Sequence, residues 1–323
     1  MQTLDRKVVR DAWRLTPQLA AVAVVMACGV AVLVMSWSML VSLDATQRDY
    51  AAQARFADVF VHLKRAPEIV GRRLAVIPGV DRLETRVVKD VTLDVSAAAG
   101  RRVPAVGRLI SLGDAATDAD GAALNRLTLL RGRLPDPARP AEAVVGEGFA
   151  TAHGLGPGDH LFAVLNGRRT RLDLVGVATS PEYVYTIGPG GPFPDDRSFG
   201  VFWMGRRGLA AAFDMADAFN DVVATLAAGA SSRDVCRAID RELDRYGGLG
   251  AFGREFQTSH RYLTNELREL RNMSRVGPVV FLVVTAILMH LVVSRLIGTQ
   301  REQIATLAAF GYAPGEIAIH YVK

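Results

Sequence analysis

The chain has 323 residues, of which half are hydrophobic and 22% are charged, and its formal net charge is +5. This composition is typical of a folded soluble part joined to membrane segments, and it excludes a porin and a disordered chain. The arginines are scattered, so the chain lacks the clustered basic and aromatic residues of a nucleic-acid-binding protein.

The first 43 residues predict a surface helix followed by a membrane span. Residues 1–16 combine apolar positions at helical spacing with four basic residues, which predicts a cytoplasmic amphipathic helix; the alternative is a solvated leader without a role. Residues 17–43 are predicted as transmembrane helix 1, because no charge occurs from Leu19 to Leu43 and no signal-peptide cleavage site follows. The excess of basic residues before this run places the N-terminus in the cytoplasm.

A second apolar run lies near the other end of the chain. Residues 275–297 are predicted as transmembrane helix 2, since at ~1.5 Å per residue they span the ~30 Å core of a bilayer. Residues 298–323 are then predicted as a short cytoplasmic helix and the start of a further helix. The apolar face of the short helix has i, i+3, i+4 spacing and consists of Ile304, Leu307 and Ala308.

Residues 44–274, between the two spans, predict a mixed α and β domain. Period-two alternation and turn signals predict strands at 58–63, 83–95, 103–112, 143–145, 199–204 and 221–226, and on both sides of Asn166-Gly167. Helical patterns predict helices at 68–77, 147–153 and after Ser231, the last with a capping-box-like start. Residues 45–54 and 261–274 are also helix-prone, so the spans either extend outward as a stalk or end in separate helices packed on the domain.

The sequence contains none of the following catalytic motifs. None of the four lysines follows a glycine, so the chain has no Walker A loop and does not hydrolyse ATP by that route. Neither an HExxH zinc motif nor a G-x-S-x-G elbow occurs, and the two distant cysteines predict no disulfide framework. Residues 248–253 match G-x-G-x-x-G but follow a helix, which favours a connector over a dinucleotide site. The sequence therefore predicts no catalytic residue, no cofactor and no metal site.

The segment from Ser180 to Ser198 is rich in glycine and proline and predicts a long loop. Tyr183, Tyr185 and Phe193 make it a candidate loop for binding a partner or cargo. The alternative is a loop that packs back over its own domain.

Two stretches of the sequence resemble permeases of the FtsX and MacB type, which are mechanotransmitting ABC transporters. The order of elements along the chain, with an outer domain between two membrane spans, resembles them too. Residues 141–177 contain AEAVVGE, HGLGPGD and VGV, similar to the "vvlGe…lglkpGd…v.Gi" pattern of the MacB-like periplasmic core domain. Residues 301–311, REQIATLAAFG, resemble the family's "R..EIa.LkAlG" element.

The resemblance implies a role for this second stretch, which in the family is the coupling helix that contacts a cytoplasmic ATPase. By position, that role falls on Arg301, Glu302, Ile304, Leu307, Ala309 and Gly311. Gln303 departs from the acidic residue that is usual in the family. Because such permeases have further spans, the chain is expected to be the N-terminal part of a larger permease.

The sequence thus predicts a non-enzymatic, multi-pass permease subunit of the inner membrane, with an α+β extracytoplasmic domain between two transmembrane helices. Its expected partners are a cytoplasmic ABC ATPase, membrane lipid, a periplasmic adaptor protein and the remaining membrane helices. It would relay ATP-driven movement to the periplasmic domain for export or extraction of a lipid, lipoprotein or peptide. The alternative is a two-span sensor with an extracytoplasmic ligand-binding domain.

Overall fold

The structure, a computed structural model, describes residues 3–95, 104–113, 123–299, 301–311 and 315. It separates into two compact units, Ala45–Glu266 and Met1–Asp44 with Leu267–Lys323. The helices are α1 (Thr3–Gln53), α2 (Glu68–Ala75), α3 (Glu147–His153), α4 (Arg206–Ala212), α5 (Ser232–Leu243), α6 (Thr258–Thr299) and α7 (Arg301–Ala309). The strands are β1 (Val59–Pro67), β2 (Val80–Arg86), β3 (Val88–Asp94), β4 (Pro104–Leu112), β5 (Thr128–Gly132), β6 (Glu142–Gly146), β7 (His160–Leu165), β8 (Arg168–Thr179), β9 (Phe199–Gly205), β10 (Ala218–Leu226) and β11 (Phe252–Gly253).

Two long helices flank the strand-bearing unit, which confirms the predicted fold class. Stretches within Ala23–Gln53 and Thr258–Leu291 are long and apolar enough to cross a membrane. α1 continues through the predicted surface helix into the first apolar run without a break. The amphipathic side chains predicted within residues 1–16, and the further helix predicted toward residue 323, lie outside what the structure describes.

The two long helices contact each other inside their own unit. A Cβ on Gly29 would lie 3.5 Å from Cβ of Phe281, an ordinary van der Waals distance, so α1 and α6 pack against each other at this point. At the end of the first apolar run, Nη2 of Arg271 donates to Oδ2 of Asp44 over 2.8 Å. Earlier residues of α1 face later residues of α6, so the helices pack antiparallel and are linked at two levels.

The smaller sheet has the order β11-β1-β10-β2, with every neighbouring pair antiparallel. α2 and α5 pack on this sheet because each carries an apolar stripe at helical spacing. The stripe of α5 is the predicted one, and its side chains Val235, Ile239 and Leu243 are buried in the core of the sheet. Ser231 precedes α5, but its side chain makes no capping hydrogen bond, so the predicted capping interaction is wrong.

The larger sheet closes on itself. Its order is β5-β8-β6-β9-β4-β3-β7, and β7 also pairs with β8. Following the hydrogen-bonded neighbours therefore leads round a ring, β8-β6-β9-β4-β3-β7-β8, to which β5 is attached at β8. The hairpin that joins β7 to β8 turns at Asn166 and Gly167, with φ of 47° and 79°, as the sequence predicted.

One predicted strand is wrong. The alternation over residues 83–95 predicted a single half-buried strand, whereas β2 ends at Arg86 and β3 begins at Val88. β2 pairs with β10 in the smaller sheet, and β3 pairs with β4 in the larger one. The alternation persists across the break because each strand has one buried face. A period of two reports that a side chain is buried, but not which sheet buries it.

Candidate functional site

The predicted coupling segment is helical. α7 covers Arg301–Ala309, and the amide of Gly311 donates to the carbonyl of Ala308 over 3.1 Å. Gly311 has a φ of 88°, a left-handed conformation that glycine adopts readily at the end of a helix. Arg301, Glu302, Ala309 and Gly311 are exposed. Ile304 and Leu307 lie within α7, and their side chains are outside what the structure describes. The coupling role of the segment remains a prediction.

The loop from Ser180 to Ser198 divides its three aromatic residues between two environments. Tyr183 packs edge-on against Trp203, with 6.3 Å between ring centroids. The Tyr185 hydroxyl donates to Oε2 of Glu266 over 2.7 Å, and this hydrogen bond together with burial raises the pKa of Tyr185 to about 12. Phe193, in contrast, is 70% exposed. Two of the aromatic side chains therefore anchor the loop to its own domain, and one remains accessible to a partner or cargo.

A cleft of about 840 Å³ lies beneath this loop, entirely within the unit Ala45–Glu266. Its aromatic lining comes from Tyr50, Phe149, Tyr183 and Trp203. Asp196, at its rim, lies so close to Gly148 that a Cβ there would be 2.5 Å from the Asp196 carboxylate. The cleft has the size of a small-molecule site, and its lining mixes aromatic side chains with polar and charged ones. The sequence-predicted loop thus forms one wall of this cleft.

A buried charge cluster lies where the ends of β2 and β10 meet the start of the same loop. Arg86, from β2, donates from Nε to Oδ1 of Asp221 on β10 over 2.7 Å. Its two terminal nitrogens donate to the Glu182 carboxylate over 2.7 and 3.0 Å. Asn125 also donates to Glu182, over 2.8 Å, and Nδ1 of His62 lies 2.5 Å from Oδ2 of Asp221. Arg86, Glu182 and Asp221 are each 5% exposed or less.

Charge compensation keeps the Asp221 carboxylate ionised despite its burial. Burial alone would raise the pKa of Asp221, but the Arg86 guanidinium and the His62 hydrogen bond outweigh it and bring the value to about 2. The hydrogen bond to Asp221 raises the pKa of His62, against the opposing effect of burial. A buried arginine between two carboxylates joins the smaller sheet to the loop that covers the cleft.

The predicted half-buried strand over residues 83–95 implies that Arg86, which alternates with the apolar residues, faces solvent, and this is wrong. It is buried because β2 ends there and its side chain extends toward residues far along the chain, at 182 and 221. The only sequence signal was an arginine within an alternating run. That signal cannot identify the partners of Arg86, since they are about one hundred residues away or more along the chain.

His62 gives the cluster a pH dependence. Because its folded pKa is raised above the ordinary ~6.5, its contribution to stability is complete below about pH 6.5 and is lost as the pH rises through the folded value. The thermal midpoint of the domain should therefore fall as the pH rises above about 6.5. In His62→Gln this slope should disappear, and Asp221→Asn should remove it too. A slope of wild-type size in both variants would assign the pH dependence to other groups.

Among the described residues, no group of three or more His, Cys, Asp or Glu side chains could hold a metal ion.

No family model and no curated protein matches the chain.

Solved structures do match. The extracellular domain of the noncanonic ABC-type transporter YknZ from Gram-positive bacteria is 12% identical, with a TM-score of 0.37 over 61% of this chain and 98% of that one. The periplasmic region of MacB from Actinobacillus actinomycetemcomitans is 9% identical, with a TM-score of 0.39 over 69% of this chain and 98% of that one. Both are extracytoplasmic parts of the kind of protein that the sequence resembles. Since both TM-scores lie below 0.5, the proposals below rest on the residues of this chain.

Proposed function

We propose that the chain is an ABC-type permease subunit, with no catalysis of its own. A cytoplasmic ATPase would bind α7 and move it when nucleotide binds. The two spans would transmit this movement to the domain at residues 44–274, outside the inner membrane. That domain would act on a lipid, lipoprotein or peptide, together with a periplasmic adaptor.

The segment from Arg301 to Gly311 carries this proposal. It follows the second apolar stretch almost directly, forms the short helix α7, and ends at a glycine with positive φ. A helix that ends there favours a docking element over the continuous signalling helix that a two-span sensor would need. Its REQIATLAAFG sequence has the family's coupling pattern.

The contacts between α1 and α6 support transmission of movement by the spans. Gly29 meets Phe281 in the apolar part, and Arg271 pairs with Asp44 at its end. A pair of helices with contacts at two positions along their length moves as one element more readily than two separate helices do. Such a relay needs two discrete arrangements, of which ATP binding stabilises one.

Co-purification of the ATPase tests the proposal. A tagged chain expressed in its own cells should retain a protein with a Walker A loop. Leu307→Glu places a charge on the predicted apolar face of α7 and should lower its recovery about tenfold or more, the effect of one buried unpaired charge. Thr306→Glu adds the same charge on the opposite face and is the matched control. Equal recovery with both variants would contradict the coupling role.

A further inference from the structure

Tyr185 connects the aromatic loop, residues 180–198, to the first turns of α6. Its amide donates to Oγ of Ser259 over 2.9 Å, and its hydroxyl donates to Oε2 of Glu266 over 2.7 Å. The centroid of its ring lies 4.8 Å from that of Tyr262. Ser259, Tyr262 and Glu266 recur at i, i+3 and i+7, so they form one stripe along two turns of α6. The loop is therefore attached along this stripe.

The residues on either side of Tyr185 line the cleft of about 840 Å³. Val184 and Thr186 both belong to its lining. The carbonyl of Thr186 accepts a hydrogen bond from the amide of Asp195 over 3.2 Å, and Asp195 lines the cleft as well. This bond joins the two limbs of the loop. The attachment of Tyr185 to α6 therefore fixes the position of both limbs, and all of these contacts lie within the unit Ala45–Glu266.

The loop is held more firmly before Tyr185 than at Tyr185 itself. Glu182 is buried and accepts hydrogen bonds from both terminal nitrogens of Arg86. Its carbonyl accepts from Nε2 of Gln257 over 2.6 Å, immediately before α6 begins. Tyr185 and Glu266 are instead partly exposed, so water competes for the hydrogen bond between them. When the loop moves, that bond breaks before the contacts of Glu182 do.

The same contacts determine which movement of α6 breaks the bond. Gln257 and Ser259 are buried, so the start of α6 is held in the domain. Glu266 follows Ser259 by seven residues, a rise of about 10 Å along the helix. A tilt of α6 about its buried start displaces Glu266 more than Ser259. The bond to the Tyr185 hydroxyl is therefore the contact that such a tilt breaks first.

We propose that the hydrogen bond between Tyr185 and Glu266 controls access to the cleft beneath the aromatic loop. While the bond is intact, the loop covers Trp203, which is 4% exposed in the lining of the cleft. When α6 tilts, the bond breaks and the loop from Val184 onward moves off the cleft, while Glu182 stays in place. Tyr185 is a positioning residue, since it is not among the described residues that line the cleft. The proposal rests on the proposed function in one respect, which is that the second span moves.

Quenching of Trp203 fluorescence by acrylamide tests the proposal in the full chain in detergent. Trp13→Phe and Trp37→Phe leave Trp203 as the one tryptophan of the three. Tyr185→Phe then removes only the hydroxyl. It should raise the quenching constant severalfold, because the loss of one hydrogen bond to a charged group changes an opening equilibrium about tenfold.

Tyr246→Phe is the matched control. The Tyr246 hydroxyl also bonds to a charged side chain, since it accepts from Nη2 of Arg73 over 3.2 Å, but it lies outside the cleft lining. This variant should leave the quenching constant unchanged. Equal quenching in Tyr185→Phe and Tyr246→Phe would overturn the proposal.

A double-mutant cycle assigns the effect to the contact with α6. Glu266→Ala should raise the quenching constant as Tyr185→Phe does, and the two changes together should add little, because both remove the same bond. Glu266→Gln keeps an acceptor oxygen and should lie closer to wild type. Fully additive effects would overturn the proposal, since separate contacts would then hold the loop. The ATPase is not needed for these measurements, so their failure differs from a failure of the coupling role.

Discussion

Arg86→Met should lower the free energy of unfolding of the outer domain by about 3–5 kcal/mol, the usual effect of removing one partner from a buried ion pair. The variant keeps a side chain of similar length but leaves the Asp221 and Glu182 carboxylates without their common cation. Both carboxylates are almost fully buried, so water cannot replace the guanidinium. The expected loss is a large fraction of the stability of an ordinary domain.

Urea titration of the full chain in detergent measures this effect. Trp203 lies in the larger sheet, and its fluorescence can be followed in a chain that carries Trp13→Phe and Trp37→Phe, because the chain has three tryptophans. Arg171→Met is the matched control: Arg171 pairs with Asp173 over 2.7 Å, but both side chains are about half exposed. It should cost at most about 1 kcal/mol. Adding Glu182→Gln to Arg86→Met should recover part of the loss. A loss no larger than that of the control would show that the buried cluster does not stabilise the domain.

Local signals predicted the elements that depend on neighbouring residues. The Asn166-Gly167 hairpin, the helix α3 and the apolar stripe of α5 each rest on a pattern within about a dozen residues, and each is confirmed. β3 pairs with β4, the next strand along the chain. Residue 103, the predicted first residue of that second strand, lies outside the described residues.

Long-range pairing decided what the sequence could not predict. β4 lies parallel to β9, and β6 lies parallel to β8 and antiparallel to β9, which closes the larger sheet through partners far apart in the chain. The break between β2 and β3 follows from the same long-range competition, since each strand joins the sheet that contains its partner. Arg86 and Glu182 are brought into contact for this reason, and no local sequence pattern near either residue predicts that contact.

The same difference between local and long-range signals applies to the candidate sites. The short helix of the coupling segment was predicted from the sequence, because its signal is local. The cleft beneath the aromatic loop was not predicted, since its walls come from α1, α3, β9 and the loop itself.

Sidedness is the central claim, and cysteine labelling with a membrane-impermeant maleimide tests it most directly. The probes are Arg168→Cys, at the exposed β7–β8 hairpin, and Thr306→Cys, on α7. The unsubstituted chain gives the background, because Cys236 is buried and Cys28 lies in the first apolar run. Cysteine at 168 should react in intact cells, and cysteine at 306 should react only after the membrane is permeabilised. Reaction of both positions, or of neither, in intact cells would place the domain and α7 on one side of the membrane and contradict the account.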